Sequence, residues 1–326
     1  MLLVSAAPLL AALLLALALD ALAGDPAWLY RRLPHPVVLI GRTIAALEVR
    51  WLDTTASAAA QRRRGLAASL LVIATSAAAG LVLQALCLAL PWSWVLLALL
   101  MSSLLAWRGL DQHVGAVACG LERSLADGRR AVAHVVGRDP DSLDAQAVAR
   151  AAIESAAENF SDGVIAPLFW GLLLGLPGML AYKAINTADS MIGHRSPRFF
   201  HFGRFAARLD DAANWPPARL AALLILAAAA LTPGADAPAG WRAVLRDPRH
   251  HRSPNAGWPE AAMAGCLRLR LAGPRRYGGE VVDDAWMGDG STAATRADVR
   301  RALALIRRAT LISGGLVALA LAAVLA

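Results

Sequence analysis

Cysteine is scarce in this sequence: Cys87, Cys119 and Cys266 stand far apart with no CxxC spacing, which leaves neither a disulfide framework nor a cysteine zinc site. Lysine is scarcer, since 32 basic residues include a single one, Lys183. Charge as a whole is thin, at 17% of 326 residues against 57% apolar, with a mean hydropathy of +0.50. A disordered chain or a small disulfide-rich secreted one is thereby excluded. No GxGxxG occurs, and no GxxxxGK followed by Ser or Thr, so a nucleotide would be held by something other than a Rossmann turn or a P-loop. The seven histidines are scattered, and the adjacent His250 and His251 do not face one another as metal ligands must. Aromatics do not interleave with basic residues in any nucleic-acid module, so a net charge of +8 does not imply nucleic acid as a partner.

What is present is a set of long uncharged runs. Basic residues are missing from the first 30 positions, from Leu66 to Trp107 and after Arg308, which is the distribution expected of membrane spans. Leu2–Leu19, Leu66–Leu90, Trp92–Trp107 and Thr310–Ala326 read as four spans, the second and third joined tightly at Pro91. The first has no basic start, so it reads as a retained span despite the small residues Ala21-Leu22-Ala23. Val164–Tyr182, interrupted by Pro167, Gly171, Gly175, Pro177 and Gly178, and the short Leu220–Leu231 read as re-entrant or buried. Arginines populate the intervening segments and point to a cytoplasmic location. If neither weak segment spans, all four polar segments share that face, and the lipid bilayer is the principal partner. The fold expected is all-α: one polytopic integral membrane domain over residues 1–326, with cytoplasmic helical loops and two short or broken membrane-embedded segments.

Polar residues concentrate beside the broken run. Ahead of it, Glu154 and Glu158 are four apart on an Ala-rich helix with Ser142 as its N-cap, followed by Asn159 and Asp162. Carboxylates one turn apart can share a magnesium ion; the plain alternative is a solvated face with Arg150 and Glu154 paired. Beyond the run, AYKAINTADSMIGH sets Tyr182, Asn186 and Asp189 on one helical line and Lys183, Thr187 and Ser190 on another. This face suits metal and phosphate, with Arg195 and Arg198 supplying planar forks. Lys183 could equally be a residue snorkelling to the membrane edge. In RLDDAANWPP, Asp210 and Asn214 are four apart and Asp211 is adjacent, ahead of prolines expected to stop the helix. An acidic pair at a helix C-terminus opposes the macrodipole, which argues for metal or substrate contact over capping. Pro259 and Glu260 open a further helix, and Asp25 and His35 read as turn formers. Thr295–Asp298 opens an Arg-rich helix that reads as an interfacial anchor.

Four strings resemble the CobD/CbiB family of cobalamin biosynthesis proteins, the adenosylcobinamide-phosphate synthases. They are GDPAWLYRRLPHPVVLIGRTIAALE at 24–48, AIESAAENFSDGVIAPLFW at 152–170, AYKAINTADSMIGH at 181–194 and SPNAGWPEAAMAGCL at 253–267. They occur in order along essentially the whole chain. The resemblance implies an inner-membrane enzyme that joins an aminopropanol-type amine, often as its O-phosphate, to a propionate carboxyl of adenosylcobyric acid. It also implies use of ATP and Mg2+, through an acyl phosphate, and corrinoid and aminoalcohol phosphate as substrates. Association with other late membrane enzymes of the pathway is a further expectation. Onto that reaction we map Glu154, Glu158, Asn159, Asp162, Lys183, Asn186, Asp189, Asp210 and Asp211 as catalytic candidates, with Glu154, Glu158 and Asp189 for metal. Lys183, Arg195, Arg198, Ser253 and Asn255 are the cofactor-binding candidates. A transporter, or a membrane regulator of the AmpE type, are the competing readings.

Overall fold

In the computed structural model, which describes residues 6–89, 92–136, 140–277, 280–282 and 284–326, the chain is almost wholly helical. In order come α1 (Ala6–Ala23), α2 (Ala27–Tyr30), α3 (Pro36–Trp51), α4 (Ala58–Leu88), α5 (Trp94–Ser102), α6 (Trp107–Arg123) and α7 (Leu125–Val132). Then follow α8 (Ala145–Phe160), a π-helical turn at Ser161–Ile165, α9 (Ala166–Ile192), α10 (Arg204–Ala230), α11 (Ala237–Arg246), α12 (Gly257–Leu267) and α13 (Arg296–Leu325). The all-α expectation holds, with two small additions. Leu271–Ala272 pairs antiparallel with Trp286–Met287, and Arg275–Tyr277 pairs antiparallel with Glu280–Val282. Among the described residues, six helices are long and apolar enough to cross a membrane: Ala6–Ala23, Ala58–Leu88, Trp94–Arg123, Ala145–Ile192, Arg204–Ala230 and Arg296–Leu325. They answer to the four spans and two weaker segments of the sequence. The third is interrupted by turns at Leu104 and Leu105, which the sequence did not announce; Pro91 lies outside the described residues.

The chain forms two compact units. One contains Met1–Ala106, Ala166–Asn214 and Leu316–Ala326; the other contains Trp107–Ile165 and Trp215–Gly315. In the first, α1 packs on α5, and α3 and α4 pack along α9. Helix starts follow their local chemistry. His35 Nδ1 accepts from Val37 N (3.2 Å) ahead of Pro36, and Ser57 Oγ accepts from Ala60 N (3.3 Å), each satisfying an amide that an unextended helix leaves bare.

The break in α9 decides the shape of this unit. Gly175 takes φ 70°, ψ −153°, a conformation essentially restricted to glycine, and the chain turns back on itself there. A Cβ at Gly178 would lie 2.5 Å from Trp170 O, and one at Gly171 would lie 3.1 Å from Met179 Cγ. Ala166 and Tyr182 share one buried cluster. In a straight helix, residues eight and sixteen apart would be about 12 and 24 Å apart. Residues 166–174 and 176–192 are therefore two half-helices lying side by side, the form a re-entrant segment takes. The amide freed at the turn is not left bare: Gln84 Oε1 of α4 accepts from Leu176 N at 2.8 Å. Leu172, Leu173 and Leu174 at the tip are exposed.

Helix α10 overturns one expectation. It continues through Pro216 and Pro217 instead of ending before them. Pro217 has no N–H to offer the carbonyl four residues back, and that carbonyl, Ala213 O, accepts instead from Trp170 Nε1 at 3.2 Å. Asp210 and Asp211 are thus interior to a helix, and the argument from the macrodipole at a helix end does not apply to them.

In the second unit, α8 is capped by Asp144, whose Oδ1 accepts from Ala147 N at 2.7 Å, and not by Ser142, which sits in a 3-10 turn. Nearly all of α12 is buried. It approaches α11 through glycine: a Cβ on Gly265 would meet the backbone of Gly240 at 2.6 Å. The capping box at Thr295 forms, with Asp298 Oδ2 accepting from Thr295 N and Oγ1. The arginines that follow do not read as a free interfacial anchor. Arg307 grips Asp111 with Nε and Nη2 (2.8 and 3.0 Å), Arg300 and Arg296 pair with Glu122, and Arg308 donates to Leu231 O and Thr232 Oγ1.

This unit also carries an acid-sensitive joint. Asp236 caps α11 through Ala239 N (2.9 Å) and binds Arg268 Nε (2.9 Å), and the amide, then the guanidinium, hold its carboxyl below the ordinary value. A depressed carboxylate pKa contributes stability above the unfolded value of about 4 and loses it as pH falls through the folded one. Asp236→Asn should therefore show a flatter loss of thermal stability between neutral and acid pH than the unaltered protein. Parallel curves for the two would remove this joint from the acid response.

Candidate functional site

In the first unit, the half-helix ending at Ile192 and the opening turns of α10 bring four of the predicted residues together with two more. Tyr182 OH donates to Asn214 Oδ1 (2.8 Å), Asn214 Nδ2 donates to Asp210 Oδ2 (3.0 Å), and Asn186 Nδ2 donates to Asp210 Oδ1 (3.3 Å). Tyr182 and Asn214 are buried, while Asn186, Asp189 and Asp210 are half-buried and Asp211 is exposed. The Asp210 carboxylate, with an amide donor on each oxygen, is fixed in orientation. Asp189, Asp210 and Asp211 lie within electrostatic reach of one another, with His194 beside Asp189 and Arg195 beside Asp211. Gly193 leaves Asp189 its room, because a Cβ there would fall 1.9 Å from Oδ1.

The second line of that half-helix is quieter. Thr187 Oγ1 bonds back to Lys183 O (2.6 Å) and Ser190 Oγ to Asn186 O (2.9 Å), so both hydroxyls serve their own helix. Lys183 is half-buried beside them. Arg198 is engaged: its Nη2 lies 2.7 Å from Glu48 Oε1 and its guanidinium stands over Phe199. Arg195, exposed, keeps its place next to Asp211.

The acidic stripe of the second unit is divided by depth. Glu154 is buried, and its Oε1 accepts from Ala272 N at 2.9 Å, tying α8 to the first short strand. Glu158 and Asn159 are exposed, Asn159 Nδ2 donating to Ser155 O and Oγ (2.9 and 3.0 Å). Asp162 falls in the π-helical turn, so the α-helical spacing that would have continued the stripe is not kept. Such turns are frequent at functional sites.

In the SPNAGWPE string, Ser253 Oγ accepts from Asn255 N and Ala256 N (both 3.2 Å), and Asn255 Oδ1 accepts from Arg219 Nη1 (2.8 Å). Sequence reasoning missed Arg219. Its guanidinium is stacked between Trp215 and Trp258, 4.4 Å from each ring, and also donates to Trp215 O and Pro254 O. The available signal was an arginine inside an apolar segment. The two stacks and the fork fasten this loop to α10, and a lysine reproduces neither. Arg219→Lys should cost about 1–3 kcal/mol, read as a lower melting midpoint in detergent; an unchanged midpoint would reduce the stack to decoration.

Among the described residues, no three His, Cys, Asp or Glu side chains are gathered as a metal group. Magnesium does not need one, since it is commonly held by one or two carboxylates together with substrate phosphates and water. The donor set around Asp189 and Asp211 fits that demand, with Arg195 available to a phosphate oxygen.

The family model described as CobD/Cbib protein matches residues 13–306. The chain is 50% identical over 309 residues to a cobalamin biosynthesis protein CobD of Sinorhizobium sp, covering 94% of this chain and 96% of that one. It is 48% identical over 301 residues to that of Rhizobium meliloti (91% and 92%) and 46% identical over 305 residues to that of Rhodobacter capsulatus (92% and 93%). No solved structure matches.

Proposed function

We propose, from the premise that this chain belongs to the CobD/CbiB protein family of cobalamin biosynthesis, that it is the pathway's amide-forming synthase. It is a multi-pass membrane protein of that pathway. Its reaction, in our reading, joins (R)-1-amino-2-propanol or its O-phosphate to a propionate carboxyl of adenosylcobyric acid, with ATP and Mg2+, at the cytoplasmic face of the inner membrane. The observation that carries the reading is the fixed Tyr182–Asn214–Asp210–Asn186 chain beside Asp189 and Asp211.

Each residue has a distinct task in this mechanism. Asn186 and Asn214 hold the Asp210 carboxylate in one orientation, so no reorganisation is needed when charge develops nearby. Tyr182, itself buried, fixes the Asn214 amide so that its N–H points at Asp210. Asp189 and Asp211 would hold magnesium, which supplies neutralisation of phosphate charge when bound. Arg195 orients phosphate oxygens. Lys183, on the same half-helix as Asn186 and Asp189, is a further candidate for phosphate.

The test is direct. Protein in nanodiscs, given adenosylcobyric acid, aminopropanol phosphate, ATP and magnesium, should yield the amide by mass spectrometry with nucleotide hydrolysis in step. Folded protein that makes no amide overturns the synthase reading, and hydrolysis without amide overturns the coupling. Ser196→Cys in intact cells should react with membrane-impermeant maleimide only after the cytoplasmic side is opened; labelling from outside overturns the cytoplasmic assignment.

A further inference from the structure

The first unit holds a cavity of about 260 Å³ walled by α3, α4, α5 and the second half of α9. Its mouth lies between α3 and α4, where Leu39 and Thr43 on one side and Thr75, Ala79 and Leu83, four apart, on the other are exposed, and the α4 side continues into the apolar outer residues Leu71 and Leu86. Its floor is Val72, Leu104 and Leu176, all buried. Three hydroxyls stand in the wall, Thr43, Thr75 and the buried Ser76, and the two threonines are spent on their own helices: Thr43 Oγ1 bonds Leu39 O (3.0 Å) and Thr75 Oγ1 bonds Leu71 O (2.8 Å).

We infer that this cavity takes an acyl chain of a membrane phospholipid. Its wall offers almost nothing to a polar guest, and burying an unpaired amide or hydroxyl costs several kcal/mol (roughly 2–7), which excludes amide-rich corrinoids and phosphates. Volume agrees: an apolar cavity of about 150 Å³ already accepts benzene, whereas drug-sized ligands occupy about 300–1,000 Å³. A slender hydrocarbon fits between these limits. The mouth is bordered by a helix of 31 residues whose outer face is apolar and which is long enough to span the bilayer, so the neighbouring solvent is itself acyl chain. Each methylene moved from lipid onto the floor replaces a void with contacts.

The occupant would press on Leu176 and Leu180, on the same half-helix that carries Asn186 and Asp189. Lipid thereby becomes part of the packing that supports the arm, without touching the polar residues.

The test uses the full-length protein in phosphatidylcholine vesicles containing a fraction of phosphatidylcholine with a diazirine at the end of one acyl chain. After irradiation, labelled peptides are mapped. Label on the buried Leu176 and Leu104, in addition to outward residues such as Leu70 and Leu81, is expected; label confined to the outward residues overturns the proposal. Ala79→Trp, which fills the mouth from an exposed position, should abolish label at Leu176 while Leu70 and Leu81 stay labelled, and undiminished label at Leu176 overturns it. Excess adenosylcobyric acid should leave the pattern unchanged; displacement would assign the cavity to substrate and overturn the lipid.

Discussion

Asp210→Asn should lower the rate of amide formation by about 10²–10⁴-fold, the range lost when a positioned charged group in a catalytic site is removed. Asp210 receives amide N–H groups on both oxygens, from Asn186 and Asn214. An asparagine presents one N–H2 where an oxygen stood, so one of these contacts becomes donor against donor and the negative charge is gone. Tyr182→Phe is the graded companion: it removes only the hydroxyl that orients Asn214 and should cost far less. Initial rates in nanodiscs, with melting midpoints as the control for folding, check both. Normal turnover by folded Asp210→Asn would take this carboxylate out of the site.

The largest effect on folding is expected from Gly175→Ala. A side chain in this backbone conformation costs about 1–3 kcal/mol. The added Cβ would also stand 2.2 Å from Gln84 Oε1, the acceptor that satisfies Leu176 N. Displacing it leaves a buried amide bare, at a further cost of about 1–3 kcal/mol. The expected readings are a lowered melting midpoint and loss of monodisperse protein in detergent. Gln84→Ala in the same chain relieves the clash but neither the strain nor the bare amide, so recovery should be partial. A midpoint like that of the unaltered protein would mean that the half-helices do not depend on this turn.

Much of the site was legible because helical spacing survives into the structure: Tyr182, Asn186 and Asp189 share a line, and the four-residue step from Asp210 to Asn214 became a hydrogen bond. The broken segment was legible from its glycines and prolines. That it could be re-entrant was legible too, but the position of the turn at Gly175 was not, because glycine permits a turn without specifying its angle. The run of α10 through Pro216 and Pro217 was hidden for another reason. Trp170, distant in sequence, supplies the donor that makes it tolerable. Asp162 was misplaced by one π-helical turn, a register change that apolar periodicity does not reveal. The Arg219 stack needed two tryptophans from separate strings. Long-range partners account for the course of α10 and for the Arg219 stack, and local backbone freedom for the turn at Gly175 and the place of Asp162.

The division into two units has a consequence for biosynthesis. Each unit is assembled from separated stretches, and two of the four crossings between them fall inside helices, one in α10 and one in α13. A translating ribosome that has released the first 106 residues has delivered only one part of the first unit; Ala166–Asn214 and Leu316–Ala326 are still to come. The stretches of the two units alternate along the chain, so neither unit can be obtained by shortening the chain from one end, and a cut at the crossing in α10 or in α13 also severs a continuous helix. Helices made early therefore precede the partners they pack on, as α4 precedes α9.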